Sequence, residues 1–133
     1  MLRTCFRYGP IALAEPDNYE ARANLMWAST YAISGFTKFG TDVGWSCHPM
    51  EHELSAYYDI THGVGLAILT PRWMKHILSP ETAWKFGEYG REVLGLTGDD
   101  DMAVGEAAIE KTASFFYDVL EMAGESLGDF MRS

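Results

Sequence analysis

The sequence predicts an all-α protein, a bundle or array of about seven helices. Three observations favour this class. Apolar residues recur at helical spacing along most of the chain, as at Leu25, Ala28 and Ala32. Residues that start and stop helices punctuate this pattern, and no segment combines strand alternation with hairpin turn residues. The length of 133 residues, 47% of them hydrophobic, predicts one helical domain over residues 1–133.

Start and stop signals predict the individual helices. Asp17 and Glu20 form a capping-box pattern for the second helix, with Asp17 as its N-cap. Pro49 suits the first turn of the third helix, which makes His48 its expected N-cap, and Thr61 is the expected N-cap of the fourth. The predicted helices cover residues 1–11, 17–35, 48–58, 62–69, 70–78, 79–94 and 102–123.

Aromatic residues at helical spacing are expected in the core. This expectation covers Trp27, Trp73, Trp84, Phe115 and Phe116.

The charge excludes several classes of partner. A formal net charge of −9 argues against nucleic acid, because phosphate contact needs a basic surface, and against anionic membranes for the same reason. No apolar run is long enough to span a membrane, and the start lacks a signal-peptide pattern. Two cysteines do not make a disulfide framework, so a cytoplasmic location is expected.

Three of the four histidines lie within fifteen residues, at His48, His52 and His62. On one unbroken helix, residues fourteen apart would lie ~21 Å apart along the axis, too far to share a metal ion. A shared ion therefore requires the chain to turn between residues 57 and 61, where Asp59 interrupts the helical pattern. His52 is one turn after His48 and should lie on the same face.

Other interpretations of these residues remain open. The histidines can equally be partly buried side chains that are hydrogen-bonded inside a bundle. A zincin helix is poorly supported, because Ala56 stands where its second histidine would be. Cys47 is conceivable as a thiol nucleophile, although no Asn or Asp completes a local triad pattern.

Three further features favour structural roles. His76, beside Lys75, is expected on the surface. The acidic run 99–101 is expected at the exposed start of a helix rather than around a cation. The segment 63–65 is too short for a dinucleotide loop, and no strand precedes it.

Long stretches of the chain resemble the iron-containing alcohol dehydrogenases, in particular the NADPH-dependent butanol dehydrogenase branch. The matching stretches are Tyr-Gly-Pro-Ile-Ala-Leu at 8–13, Tyr-Glu-Ala-Arg-Ala-Asn-Leu-Met-Trp-Ala-Ser at 19–29, and the histidine motif at 45–69. They cover most of the chain, and the histidine motif is specific to the family.

The resemblance implies an enzyme of two domains, a dinucleotide-binding α/β domain and an all-helical C-terminal domain. It implies a divalent metal, iron or zinc, between them, held by an Asp and three His. Two of these ligands would be His48 and His62. His52 would line the substrate and nicotinamide cleft as a catalytic proton relay or a residue behind the ligands. The implied reaction is reversible hydride transfer between NAD(P)H and a small aldehyde.

The resemblance also implies that essential parts lie outside these 133 residues. The other two metal ligands and the cofactor domain would precede Met1, and the last helix would run on beyond Ser133. The chain is thus expected to be a truncated helical domain without dehydrogenase activity of its own. Alternatives are a remnant helical domain that folds alone or as a homo-oligomer, a subunit that complements a separate cofactor-domain chain, and a stand-alone helical metal-binding module.

Overall fold

A computed structural model describes residues 1–40, 44 and 46–121, which form six α-helices and no strand. The helices are α1 (Leu2–Ala14), α2 (Tyr19–Ile33), α3 (Cys47–Tyr58), α4 (His62–Ile77), α5 (Ala83–Leu94) and α6 (Asp101–Ser114). A 3₁₀ turn at Phe36–Lys38 follows α2, and a π turn at Phe115–Val119 follows α6. Within the described ranges no helix has the length and apolar character to span a bilayer. The predicted all-α class is confirmed, while the end of the predicted helix 102–123 lies outside these ranges.

The described ranges contain six helices instead of about seven because Pro71 does not begin a helix. Helix α4 continues through Pro71 and joins the two helices predicted on either side of it. A proline inside a helix leaves the carbonyl four residues earlier without its N–H partner. That carbonyl belongs to Ala67, and it accepts a hydrogen bond from the Tyr117 hydroxyl at 3.1 Å. A donor from the π turn thus replaces the missing backbone donor.

The turn between α3 and α4 is the predicted one. Helix α3 ends at Asp59, whose backbone is in the left-handed region at φ 54°. Aspartate tolerates this conformation better than most residues because its short side chain can form local hydrogen bonds. Thr61 has extended backbone angles and is the N-cap of α4, as expected. The chain therefore reverses between the two helices, and α3 packs against α4.

Two of the predicted caps are displaced. The N-cap of α2 is Asn18, whose side chain accepts a hydrogen bond from the backbone N–H of Ala21 at 3.0 Å, so the expected cap Asp17 lies one residue too early. The N-cap of α3 is Ser46, and His48 lies inside the first turn. Asn is a good N-cap, so Asn18 competes with its neighbour Asp17, whereas Ser46 makes no side-chain capping hydrogen bond.

The chain divides into two compact units, residues 1–44 and 45–133. In the first unit α1 packs against α2, and Ala21 and Ala28 on α2 are buried. The Tyr8 hydroxyl of α1 donates a hydrogen bond to Glu20 of α2 at 2.7 Å. The single-domain organisation over residues 1–133 stays a prediction.

In the second unit α6 packs against both α4 and α5. Small residues make the α5–α6 contact close. A Cβ atom at Gly90 would lie 2.7 Å from Cγ1 of Val104, and one at Gly105 would lie 2.9 Å from Cβ of Phe86. Helix α6 begins at the N-cap Asp100, and Asp101 in its first turn pairs with Arg91 at 2.5 Å. The acidic run is thus a helix start, as expected.

Two of the aromatic residues expected in the core are largely exposed. Trp27 is 64% exposed and Trp84 is 54% exposed, whereas Phe115 is buried. Trp73 and Phe116 are half-buried. Helical spacing shows which residues share a face, but whether another element covers that face is a property of the tertiary structure.

Candidate metal centre

The turn at Asp59 brings three imidazole rings together. His48 and His52 lie one turn apart on α3, and His62 is the first residue of α4. The ring centre of His62 lies 5.2 Å from that of His48 and 5.3 Å from that of His52. The rings of His48 and His52 are 6.2 Å apart. The chain reversal that a shared ion would require is therefore present.

The cluster lies at the surface of this chain. The side chain of His62 is 47% exposed. His52 is exposed and His48 is half-buried. His76, further along α4, is exposed, as expected. The rings of His48, His52 and His62 are therefore accessible to solvent and to a small ligand, unlike the ring of a histidine in a protein core.

Glu51 lies behind the rings and was not among the candidates from the sequence. Its side chain is fully buried, and its Oε2 is hydrogen-bonded to Nδ1 of His62. Its Oε1 is buried and has no hydrogen-bond partner among the described residues. A signal in the sequence could have found it, because Glu51 occupies the same helical face as Cys47, Leu54 and Tyr58, where an acid is unexpected.

The donor set suits a divalent metal. Neutral imidazole nitrogens are ligands for both iron and zinc. Two imidazoles that share a tetrahedral ion at nitrogen–metal distances of about 2.1 Å have ring centres about 5 Å apart. The observed separations from His62 agree with this value. An ion bound to His62 would also supply positive charge near the buried carboxylate of Glu51, whose Oε1 is unpartnered.

Two ligand sets are compatible with these positions. The first is the predicted pair of His48 and His62. The second consists of Glu51, His52 and His62, whose candidate ligand atoms all lie within 4.8 Å of one another. The distances between ring centres favour neither His48 nor His52, so the ligand roles stay predictions.

The structure gives no support to two other candidates from the sequence, the Cys47 thiol as a nucleophile and the segment 63–65 as a phosphate-binding loop. Burial raises the pKa of the Cys47 thiol, which a side-chain hydrogen bond to Thr70 partly offsets. A raised pKa lowers the thiolate fraction at neutral pH and makes a nucleophilic role less favourable. Gly63 and Gly65 lie in the first turn of α4 and not in a phosphate-binding loop.

Comparison with known proteins places the chain in a family. The profile of the Fe-containing alcohol dehydrogenase family, C-terminal, matches residues 1–124. The chain belongs to the iron-containing alcohol dehydrogenase family. It represents part of this family's C-terminal region, so the resemblance carried by the histidine motif is confirmed.

Curated relatives include butanol dehydrogenases and an aldehyde reductase of this family. NADH-dependent butanol dehydrogenase B of Clostridium acetobutylicum is 59% identical over 121 residues, covering 90% of this chain and 31% of the relative. The NADPH-dependent aldehyde reductase YqhD of Escherichia coli is 38% identical over 117 residues, covering 87% of this chain and 30% of the relative. The chain spans about a third of the length of the curated relatives it matches.

Solved structures of iron-containing alcohol dehydrogenases have the same helical arrangement. NADH-dependent butanol dehydrogenase A of Thermotoga maritima superposes with a TM-score of 0.84 at 35% identity, over 98% of this chain and 34% of that protein. The substrate- and cofactor-free aldehyde reductase YqhD of E. coli superposes with a TM-score of 0.88 at 35% identity, over 98% of this chain and 33% of that protein.

Proposed function

We propose that this chain, with its cluster of His48, His52 and His62, forms one wall of the catalytic cleft of a metal-dependent alcohol dehydrogenase. The reaction is reversible hydride transfer between NAD(P)H and a small aldehyde, of the size of butyraldehyde. The observation that carries the proposal is the convergence of His48 and His62, with ring centres 5.2 Å apart, in a chain of this family. The names of the relatives include both NADH and NADPH, and either nicotinamide is compatible with the proposal.

Each histidine has a distinct proposed role. His48 and His62 each donate an imidazole nitrogen to a divalent iron or zinc ion. When bound, such an ion acts as a Lewis acid on the carbonyl oxygen of the substrate. His52 is exposed, with its ring centre 5.3 Å from that of His62, and passes a proton between a ring nitrogen and the substrate oxygen or solvent.

In this proposal, the other metal ligands and the nicotinamide site belong to a dinucleotide-binding domain outside residues 1–133. Two imidazoles alone hold an ion weakly, because a stable site needs three or four ligands. We therefore expect the purified 133-residue chain to show no NADPH-dependent reduction of butyraldehyde. Measurable turnover by this chain alone would contradict the proposal that a second domain supplies the other ligands and the nicotinamide site. Co-purification with a chain of dinucleotide-binding fold would support completion by a partner, and a homo-oligomer without metal would favour a remnant helical domain.

A second candidate function is a stand-alone helical metal-binding module. The observation that favours it is the compact group of Glu51, His52 and His62, which already offers three ligand atoms within 4.8 Å. Three protein ligands can hold a zinc ion without contributions from another domain.

Titration of the 133-residue chain with Co²⁺, followed by its visible spectrum, separates the two candidates. If the chain is part of a dehydrogenase, Co²⁺ should bind weakly, and this binding should be lost in His48→Ala and His62→Ala and retained in His52→Ala. If the chain is a stand-alone metal-binding module, Co²⁺ should bind more tightly, and this binding should be lost in His52→Ala and retained in His48→Ala. His76→Ala is the matched control, because it removes an exposed histidine further along α4. Binding that is unchanged in both His48→Ala and His62→Ala would contradict the proposed ligand pair.

A further inference from the structure

Glu51 is buried in a way that packing alone does not explain. Its side chain is fully buried, and among the described residues a single hydrogen bond, to His62, satisfies one of its two carboxylate oxygens. Burying a carboxylate costs several kcal/mol unless charge or hydrogen bonds compensate for it. An apolar residue of similar size would fill the same space at lower cost. The position therefore suits a residue whose carboxylate acts on its neighbour.

The space around Glu51 is also shaped for its side chain. A Cβ atom at Gly65 would lie 2.6 Å from Oε1 and 2.8 Å from Cγ of Glu51. Any side chain at position 65 would occupy the volume of the carboxylate. The glycine in the first turn of α4 thus lets α4 approach α3 while the carboxylate remains against His62.

The contact of Glu51 Oε2 with Nδ1 links the tautomer of His62 to this carboxyl group. A carboxylate can only accept hydrogen bonds, so an imidazole ring that pairs with it donates from Nδ1. In a neutral imidazole the other nitrogen, Nε2, then has the free lone pair that a metal needs. Carboxylates behind metal-binding histidines have this effect in many metal sites.

We propose that Glu51 is a positioning residue that holds His62 in its Nδ1–H tautomer and presents Nε2 to the metal. This inference rests on the proposed role of His62 as a ligand. Glu51 itself does not coordinate the ion. A metal ion held by His62 would supply positive charge that helps to compensate for the buried Oε1, which has no hydrogen-bond partner among the described residues.

Nuclear magnetic resonance of the ¹⁵N-labelled histidine rings tests the tautomer without any metal. At alkaline pH, long-range ¹H–¹⁵N spectra distinguish the protonated nitrogen of a neutral imidazole ring from the bare one. We expect His62 of the unsubstituted chain to be protonated at Nδ1. Glu51→Leu should lose this preference, and Glu51→Gln should keep it, because its carbonyl oxygen still accepts from Nδ1–H. Glu53→Gln on the exposed face of α3 is the control and should leave His62 unchanged.

Titration with Co²⁺ on the same variants tests the consequence for the metal. Removal of such a supporting group typically weakens metal affinity by about 10- to 100-fold, which is expected for Glu51→Leu. Glu51→Gln should lose less, and Glu53→Gln should bind as the unsubstituted chain does. If Glu51→Gln weakens binding as much as Glu51→Leu while the tautomer is kept, Glu51 is a direct ligand and the inference is wrong.

The two measurements separate this inference from the proposed function. An Nε2–H tautomer of His62 in the unsubstituted chain would overturn the inference, and so would a tautomer unchanged in Glu51→Leu. If the chain binds no Co²⁺ but the tautomer depends on Glu51, the positioning role stands and the metal proposal fails. If Glu51→Leu does not fold, the spectra of the unsubstituted chain and of Glu51→Gln still decide the tautomer.

Discussion

A Cβ atom at Gly65 would lie 2.6 Å from Oε1 of Glu51, so the start of α4 and the buried acid on α3 occupy adjoining space. This contact links the turn at Asp59 to the histidine cluster. The chain reverses, α4 returns against α3, and the small residue at position 65 lets the carboxylate lie beneath His62. The path of the backbone from α3 into α4 and the contact between Glu51 and His62 therefore depend on each other.

Gly65→Ala should destabilise the protein. The added methyl group would collide with a fully buried side chain, and overpacking of this kind typically costs about 1–3 kcal/mol in the free energy of unfolding. Urea denaturation measures the change. The matched control is Gly63→Ala, because Gly63 is exposed in the same turn of α4 and alanine there is expected to be neutral or stabilising by up to about 1 kcal/mol. Equal stability of the two variants would show that Glu51 can move aside without cost.

Tyr117→Phe should destabilise the second unit by about 1–3 kcal/mol, since it leaves the Ala67 carbonyl without the donor that compensates for Pro71. Thermal or urea unfolding measures the loss. The control is Tyr57→Phe, at a tyrosine that is 82% exposed, which should change stability by less than about 0.5 kcal/mol.

A double-mutant cycle tests the proposed cause of that loss. Pro71→Ala restores a backbone N–H that can bond to the Ala67 carbonyl. In the Pro71→Ala background, Tyr117→Phe should therefore cost less than it does in the unsubstituted chain. An equal cost in both backgrounds would mean that the hydroxyl acts through its other contacts, the hydrogen bond accepted from Arg72 at 2.9 Å and the one donated to the Ile68 carbonyl at 3.4 Å.

Tyr89 should make stability sensitive to alkaline pH. Burial raises the pKa of its hydroxyl, and the hydrogen bond to Thr112 partly offsets this shift. Because the group binds its proton more tightly in the folded state, its contribution is complete below the ordinary tyrosine pKa of about 10 and is lost as the pH rises toward the higher folded value. Tyr89→Phe should therefore lose less stability than the unsubstituted chain as the pH rises above about 10. Tyr57→Phe controls for removal of a tyrosine, and equal slopes for all three proteins would contradict the expectation.

Local signals predicted the elements that local chemistry controls. The end of α3 near Asp59, the start of α4 after Thr61 and the end of α5 at Gly95 follow from residues that tolerate left-handed or extended backbone angles. The sequence also indicated that His48 and His62 could share an ion only if the chain turned near Asp59, and the turn is present. Specific motif residues were also sufficient to identify the family.

Features that depend on distant partners were not predictable in this way. Proline in a helical pattern normally marks a boundary, but α4 continues through Pro71 because Tyr117, 50 residues from Ala67 along the chain, supplies the missing donor. The exposure of Trp27 and Trp84 depends on which faces other elements cover.

The sequence by itself determined the all-α class, the chain reversal at Asp59 and the family, because these depend on residue types and short spacings. Only the tertiary structure revealed Glu51 as the partner of His62. A glutamate on a helix is ordinarily solvated, and its burial follows from the approach of α4 over Gly65, which brings a carboxylate and an imidazole eleven residues apart into contact.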